Sequence, residues 1–340
     1  MPKNIQWCAV FVLAGCFLFS SKLNAQNKPD DEVIKVDTNL VTVPVIVSDR
    51  RNRYISGLNA ENFTVFKDGQ KQTIEYFAAE ESPINVAILL DTSRSTEQVL
   101  DKIQDAALEF IKQLKPNDRA MIVSFDYQVN VLCGLTNDRE RLKRVIINAE
   151  IGAQFGTVLR DAVFETVYKN FAGVKGRKAV VLLTDGKDFG SLTGSDELIY
   201  RLEESDTLVY SIFYETGFMQ RRMMRQNFPF PGRGGGAVRR RDRFPGDRFP
   251  ERRQRNEQAN EDAVEYLREL ADVSAGRFYQ SEIKDLSKTF EAIAEELRKQ
   301  YLIGFYPENV EAGKVYQIKV KTDRSDAAVR SKNTFRVKGN

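Results

Sequence analysis

The sequence predicts an α/β protein: a doubly wound, mostly parallel sheet with helices on both faces, joined to an accessory β-sandwich made by strands near the two ends of the chain. Three observations carry that expectation. From residue 84 to 299 strand-like and helix-like segments alternate, the pattern of a sheet wound on both faces. Two of the strand segments, Ile84–Leu90 and Ala179–Leu183, are apolar throughout, as strands buried on both faces must be. Outside that region, residues 33–80 and 301–338 read as strands alone.

Taken in order, residues 1–25 read as a secretory signal peptide. Lys3 precedes an apolar run from Ile5 to Phe19, and small and polar residues follow as far as Ala25. The run is short of the ~20 residues that a membrane span needs. A second signal lies inside it: Leu13-Ala14-Gly15-Cys16 has the form of a lipobox, which would anchor the chain through Cys16. Either route takes the protein out of the cytosol, to the periplasm or the exterior. In the N-terminal β segment, Leu40–Val47 alternates and Pro44 calls for an edge or a bulge. Phe63–Phe66, the turn Lys67-Asp68-Gly69 and Thr73–Phe77 suggest a hairpin. Neither terminal strand set has enough apolar face to close a core alone, so the two are expected to share one. Between them, a helix from Ser95 carries Ile103, Ala107, Phe110 and Leu114 on one face, and helices follow over Arg139–Ala149, Thr157–Asn170 and Leu286–Leu297. Strands are expected at Ala120–Phe125, Val129–Cys133, Leu208–Phe213 and Gly276–Tyr279, with a helix around Val264–Ala271.

Composition narrows the chemistry. The 340 residues, 42% hydrophobic and 29% charged, suffice for one large or two modest domains, and Lys plus Arg is 51 against 48 acids. There is no histidine, which excludes Ser-His-Asp and Cys-His catalysis and His-ligated zinc. Cys8 and Cys16 lie in the leader, leaving Cys133 as a lone thiol expected to be buried. Residues 217–260 hold twelve arginines against four acids and are rich in glycine and Phe-Pro pairs, so they read as a disordered basic insertion on an otherwise acidic body. Such a stretch suits a polyanionic or envelope surface. Nucleic acid is not expected as a partner of an exported chain.

The polar residues gather where loops leave the carboxyl ends of strands, the usual binding edge of an open α/β sheet. Ile84–Leu90 runs into Asp91-Thr92-Ser93-Arg94-Ser95, Ala179–Leu183 runs into Thr184-Asp185-Gly186, and Gly156-Thr157 opens a helix between them. Asp91, Ser93, Ser95, Thr157 and Asp185 offer oxygen alone, the donor set of a hard cation such as Mg²⁺ or Mn²⁺. This arrangement resembles the metal-ion-dependent adhesion site (MIDAS) of von Willebrand factor type A domains, a Rossmann-like fold. All five residues fall on that family's Asp-x-Ser-x-Ser, Thr and Thr-Asp-Gly positions, while Arg94 stands where many members carry glycine. The resemblance implies that these residues hold the metal directly or through water and leave one position for an Asp or Glu of a protein partner. Outside the motif, Asn39–Val45, Ile55–Leu58, Phe66–Gln70 and Gln300–Pro307 resemble the acidobacterial VWFA-related domain family.

The expected function is therefore an exported, metal-dependent protein-binding module, in adhesion or complex assembly, and not an enzyme. Two alternatives stand beside it. A metal-dependent hydrolase would have to draw on Arg94 and Lys187 as its cationic clamp. A passive subunit of an envelope assembly would bind without metal. Ser281 and Lys284 have Ser-x-x-Lys spacing but lack companion motifs. Oligomeric state is not legible.

Overall fold

Strand β1 (Val41–Asp49) begins the part of the chain that the structure, a computed structural model, describes: residues 40–79, 82–214 and 250–337, with backbone alone for 250–256. The leader with Cys8 and Cys16, and residues 217–249 of the basic insertion, lie outside the described residues. After β1, strands β2 (Phe63–Lys67) and β3 (Gln70–Gln72) form a hairpin in register Lys67↔Gln70. Its two turn residues, Asp68 and Gly69, have φ of 47° and 82°. Positive φ at both positions is the type I′ turn, which matches the twist of the flanking strands. The return strand is thus the polar Gln70–Gln72 and not Thr73–Phe77, because a two-residue turn starts the pairing at once. The chain then crosses to the facing sheet as β4 (Tyr76–Ala78), placing Phe77 against Tyr301 with ring centroids 5.9 Å apart.

The central sheet follows. Strands β5 (Ile84–Asp91), β6 (Arg119–Phe125), β7 (Val129–Thr136), β8 (Arg177–Thr184), β9 (Thr207–Phe213) and β10 (Arg277–Gln280) lie in the order β10-β9-β8-β5-β6-β7. All neighbours are parallel except β6 and β7, so the sheet is mixed with one antiparallel edge. Successive residues of a strand face opposite sides. On one side Val86, Ile88, Leu90 and Val181 meet α1 (Leu100–Gln113), α2 (Arg139–Ile147) and a last helix described below. On the other, Ala87, Leu89, Val180 and Leu182 meet α3 (Leu159–Phe164, continued by a π turn to Asn170), α4 (Ser195–Glu204) and α5 (Pro250–Ser274). Cys133 is buried under α1 and α2.

Three elements depart from expectation. The helix expected from Ser95 begins as a 3₁₀ turn, Arg94–Thr96, with regular helix only from Leu100. The Thr96 hydroxyl shares its proton between the Asp91 and Ser93 carbonyls, and its amide closes the turn onto the same Ser93 carbonyl at 3.0 Å. Helix α4 shows little in the sequence, because Leu198 and Leu202 are its only fully buried positions. Helix α5 begins at Pro250, so residues 250–260 are helical and not part of a disordered insertion. Proline is preorganised for the first helical turn, and the polar Glu-Arg-Arg-Gln-Arg after it has good helix propensity without an apolar stripe to announce it. No helix among the described residues is long and apolar enough to cross a membrane.

Helix α6 (Leu286–Arg298) completes the first side of the sheet and leads into β11 (Tyr301–Phe305), β12 (Val315–Thr322), β13 (Ala327–Ser331) and β14 (Thr334–Arg336). With the N-terminal strands these make two four-stranded antiparallel sheets, β13-β1-β11-β4 and β14-β12-β2-β3. Val43, Val45 and Ile303 from one and Val65, Ile318 and Phe335 from the other share one core. Strand β1 is internal in its sheet, not an edge. Its two neighbours are staggered: Pro44 faces Leu302 of β11, and β13 joins only from Val45 onward. The stagger supplies the local edge that proline needs.

Two buried charges seat the sandwich on the central domain. The Lys332 ammonium donates to the Leu202, Glu203 and Ser205 carbonyls at 2.6, 2.9 and 2.7 Å, closing the carbonyl end of α4. Glu296, fully buried on α6, accepts from Tyr54 at 2.8 Å and Tyr210 at 2.7 Å and pairs with Arg277 at 3.2 Å and with Arg330.

Candidate metal centre

Strands β5 and β8 are parallel neighbours in register Leu90↔Leu183, so Asp91 and Thr184 end them side by side and Asp185 follows immediately. Neighbouring strands lie about 4.8 Å apart. That spacing puts two carboxylates together at one edge, Asp91 at 0% and Asp185 at 2% exposure. Each Asp91 oxygen has a donor. Oδ1 accepts from the Ser93 amide at 3.0 Å and Oδ2 from the Thr184 hydroxyl at 2.7 Å. The Ser93 and Ser95 hydroxyls lie 3.0 Å apart, aimed at one point by the tight turn that Thr96 locks.

The loop after β8 is shaped by close packing. Gly186 has φ 76°, and a Cβ there would come within 2.7 Å of the Ala263 Cβ on α5. Its amide donates to the Thr184 hydroxyl at 3.0 Å, and the Lys187 ammonium pairs with Asp185. Thr157 stands on a third loop. It is buried, and its amide and carbonyl pair with Phe189 at 3.1 and 2.8 Å. That loop is tied to the serine turn twice: the Gly152 amide donates to the Thr92 carbonyl at 2.9 Å, and the Arg94 guanidinium donates to the Ala153 carbonyl at 2.8 Å. The structure thus brings Asp91, Ser93, Ser95 and Asp185 into one cluster and sets Thr157 on the adjoining loop. Arg94 turns sideways onto the rim, over the Phe155 ring at 4.3 Å.

Lys187 supplies a positive charge to Asp185, whereas the two Asp91 oxygens are held by the uncharged Ser93 amide and Thr184 hydroxyl. Burial, and then the Asp185 carboxylate, push the Asp91 carboxyl up to about 7, against the pull of hydrogen bonds from Ser93 and Thr184. Tyr214, just beyond β9, is fully buried, and its hydroxyl has no hydrogen-bond partner among the described residues. Burial holds that phenol well above its usual range, and Asp91 and Asp185 raise it further. Two buried carboxylates side by side are costly unless a cation or a proton joins them. No group of three or more His, Cys, Asp or Glu among the described residues forms a metal cluster by itself. What the site offers is two carboxylates supplemented by hydroxyls, and that donor chemistry fits a hard divalent cation.

Sequence reasoning singled out the five motif residues, of which four cluster and Thr157 stands on the adjoining loop, and it missed Thr184 as a partner of Asp91, and Tyr214 altogether. A tyrosine after a buried strand reads as core, and only the fold places it beside two carboxylates. The Ser281–Lys284 spacing makes no pair: the Ser281 hydroxyl contacts Thr289 at 3.1 Å, and Lys284 pairs with Glu282 at 2.8 Å. A cavity of about 620 Å³ lies elsewhere, between β1, β14 and the end of α4. The charged groups on its wall are already paired, Lys178 with Asp206 at 2.7 Å and Arg336 with Glu203 at 2.6 Å.

Residues 86–187 match the family model of the von Willebrand factor type A domain. Over that stretch the chain is a von Willebrand factor type A domain. The matched stretch runs from within β5 to Lys187 and so includes all five motif residues. An uncharacterized protein of Synechocystis sp. is 28% identical over 110 residues, which span 31% of this chain and 26% of that relative. Among solved structures, BatB from Bacteroides thetaiotaomicron covers 63% of this chain and 97% of its own at 19% identity and a TM-score of 0.44. Proximal thread matrix protein 1 from the mussel byssus, with a zinc-occupied MIDAS motif, covers 62% and 47% at 16% identity and a TM-score of 0.42. The vWF domain of the type V pili tip protein Mfa5 from Porphyromonas gingivalis covers 63% and 94% at 12% identity and a TM-score of 0.42.

Proposed function

We propose that this protein is an exported, metal-dependent protein-binding module in which Asp91, Ser93, Ser95, Thr157 and Asp185 hold Mg²⁺ or Mn²⁺ for capture of an acidic side chain. The carrying observation is the pair of buried carboxylates at neighbouring strand ends, accompanied by two serine hydroxyls 3.0 Å apart, with Lys187 paired to Asp185 alone and no histidine in the chain. When bound, the cation would balance that charge and offer a coordination position to a partner's Asp or Glu. The protein's part is orientation. Thr184 and the Ser93 amide fix Asp91, Thr96 fixes the serine turn, and burial keeps bulk water from the carboxylates. Catalysis is not part of this reading. Arg94 and Lys187, the cations a hydrolytic site would draw on, are engaged by Ala153 with Phe155 and by Asp185. Export rests on the leader over residues 1–25, with lipid anchoring at Cys16 as its variant. The arginine-rich stretch from 217 supplies a second contact suited to a polyanionic envelope surface.

Calorimetric titration with Mg²⁺ and Mn²⁺ tests the assignment. One site per chain is expected, lost in Asp91→Ala. Unchanged affinity in that variant would overturn it.

A further inference from the structure

The loop that carries Thr157 and the loops that meet it hold three aromatic side chains that the fold leaves in solvent. Phe155 is 82% exposed, Phe189 67% and Tyr127 37%. Single exposed apolar residues are ordinary on a protein surface, whereas a contiguous group marks a contact. The backbone segments that carry these three meet at Gly156-Thr157. Phe155 immediately precedes that pair, and Phe189 exchanges both main-chain hydrogen bonds with Thr157. A Cβ on Gly156 would lie 3.0 Å from the Tyr127 Cα and 3.4 Å from the Phe189 carbonyl oxygen, so three loops converge on that residue. Gly156 has φ 149°, where a side chain would be strained. Arg94 joins them with its guanidinium over Phe155 at 4.3 Å.

None of the three aromatic side chains is buried in the cores of the fold, so core packing does not account for them. Their composition is that of an interface hot spot. Aromatic residues and arginine dominate such centres, and an apolar surround that excludes water strengthens the ionic contact it encloses. Arg94, exposed on this rim and held there by the Ala153 carbonyl and the Phe155 ring, adds positive charge that favours an acidic segment without leaving those contacts.

We infer that Tyr127, Phe155, Phe189 and Arg94 form a specificity ring, and that the partner is a protein segment in which an Asp or Glu stands next to a large apolar or aromatic side chain. This deepens the metal-dependent reading above and rests on it. The acid engages the centre, and the apolar neighbour packs on Phe155 and Phe189. An acidic surface without such a neighbour is a poor ligand.

The test is selection of a random linear dodecapeptide display library on the full chain in Mg²⁺. Enriched peptides are expected to carry Asp or Glu within about three positions of Phe, Trp, Tyr, Leu, Ile or Met. A synthetic peptide of that sequence should bind the Phe155→Ser/Phe189→Ser variant about tenfold or more weakly, the scale of a hot-spot loss. Mg²⁺ titration and the melting curve of that variant should match the parent. Should the double variant melt early, Phe155→Ser alone, at the more exposed position, replaces it. Enriched peptides that are acidic without apolar neighbours, equal affinity for the variant, or no enrichment at all would overturn the inference. Peptide binding that is lost in the aromatic variant but survives a chelator and Asp91→Ala would instead overturn the metal reading while leaving the ring. Binding lost to the chelator alone would do the reverse.

Discussion

Replacing Glu296 by alanine removes a fully buried carboxylate that ties the sandwich to the central domain. Glu296 is fully buried and gathers Tyr54 at 2.8 Å, Tyr210 at 2.7 Å, Arg277 at 3.2 Å and Arg330. Tyr54 and Arg330 flank or belong to the sandwich, while Tyr210 and Arg277 lie on β9 and β10. Breaking a buried ion pair by deleting one partner costs about 3–5 kcal/mol, and each orphaned phenol adds about 1–3 kcal/mol when water cannot reach it. The Arg277 side chain is more than a third exposed, so solvent takes over part of its loss and the contributions do not sum. A net cost of about 3–5 kcal/mol is expected. At about 2–4 °C per kcal/mol this lowers Tm by about 6–20 °C. Glu296→Gln, which keeps the shape and one acceptor oxygen, should lose less than the alanine variant. Thermal and urea unfolding, each followed by circular dichroism, measure both variants. A loss below about 1 kcal/mol in Glu296→Ala would refute the reasoning, because it would mean that the network is screened like a surface pair.

Three further outcomes follow from particular contacts. Burial raises the phenols of Tyr54, Tyr210, Tyr214 and Tyr266 above the ordinary value of 10.0 and Tyr279 to about 12. The unfolded chain therefore releases these protons first, so the stability they contribute is intact below pH 10 and is lost as pH rises through the folded values. Alkaline titration followed by tyrosinate absorbance should show the buried tyrosines ionising together with unfolding, and free ionisation of all tyrosines near pH 10 in folded protein would contradict this. Gly276→Ala should cost more than about 3 kcal/mol or abolish soluble expression, because its Cβ would lie 1.9 Å from the Val209 carbonyl oxygen; Gly134→Ala, with open space around it, is the control in the same melting assay. Gly186→Ala should weaken Mg²⁺ binding in calorimetry, since the clash with Ala263 and the positive φ both displace the loop that carries Asp185.

Much of the fold was legible because burial on both faces writes itself into composition: Ile84–Leu90 and Ala179–Leu183 allow little but parallel strands. The motif residues were legible for a related reason. Chain order fixes which residues leave strand ends, so Asp91 and Asp185 had to meet once β5 and β8 were neighbours. Elements without an apolar stripe were not legible, as the polar start of α5 shows. Nor were roles that arise only in three dimensions. Glu296 looks like a surface acid on an amphipathic helix until Arg277 and Arg330 close over it, and Tyr214 looks like core until Asp91 and Asp185 lie beside it. Pro44 was read correctly as needing a local edge and wrongly as marking the edge of the sheet. The stagger of β11 and β13 about β1 is a property of register that a single strand's sequence does not hold.

The most direct measurement is anomalous diffraction from crystals of the protein grown or soaked in Mn²⁺. The account expects one strong peak per chain among the oxygens of Asp91, Ser93, Ser95, Thr157 and Asp185, absent from crystals of Asp91→Ala treated in the same way. A peak elsewhere with none at this edge, or an Asp91–Asp185 pair that stays metal-free in Mn²⁺ and is bridged by a proton alone, would contradict it.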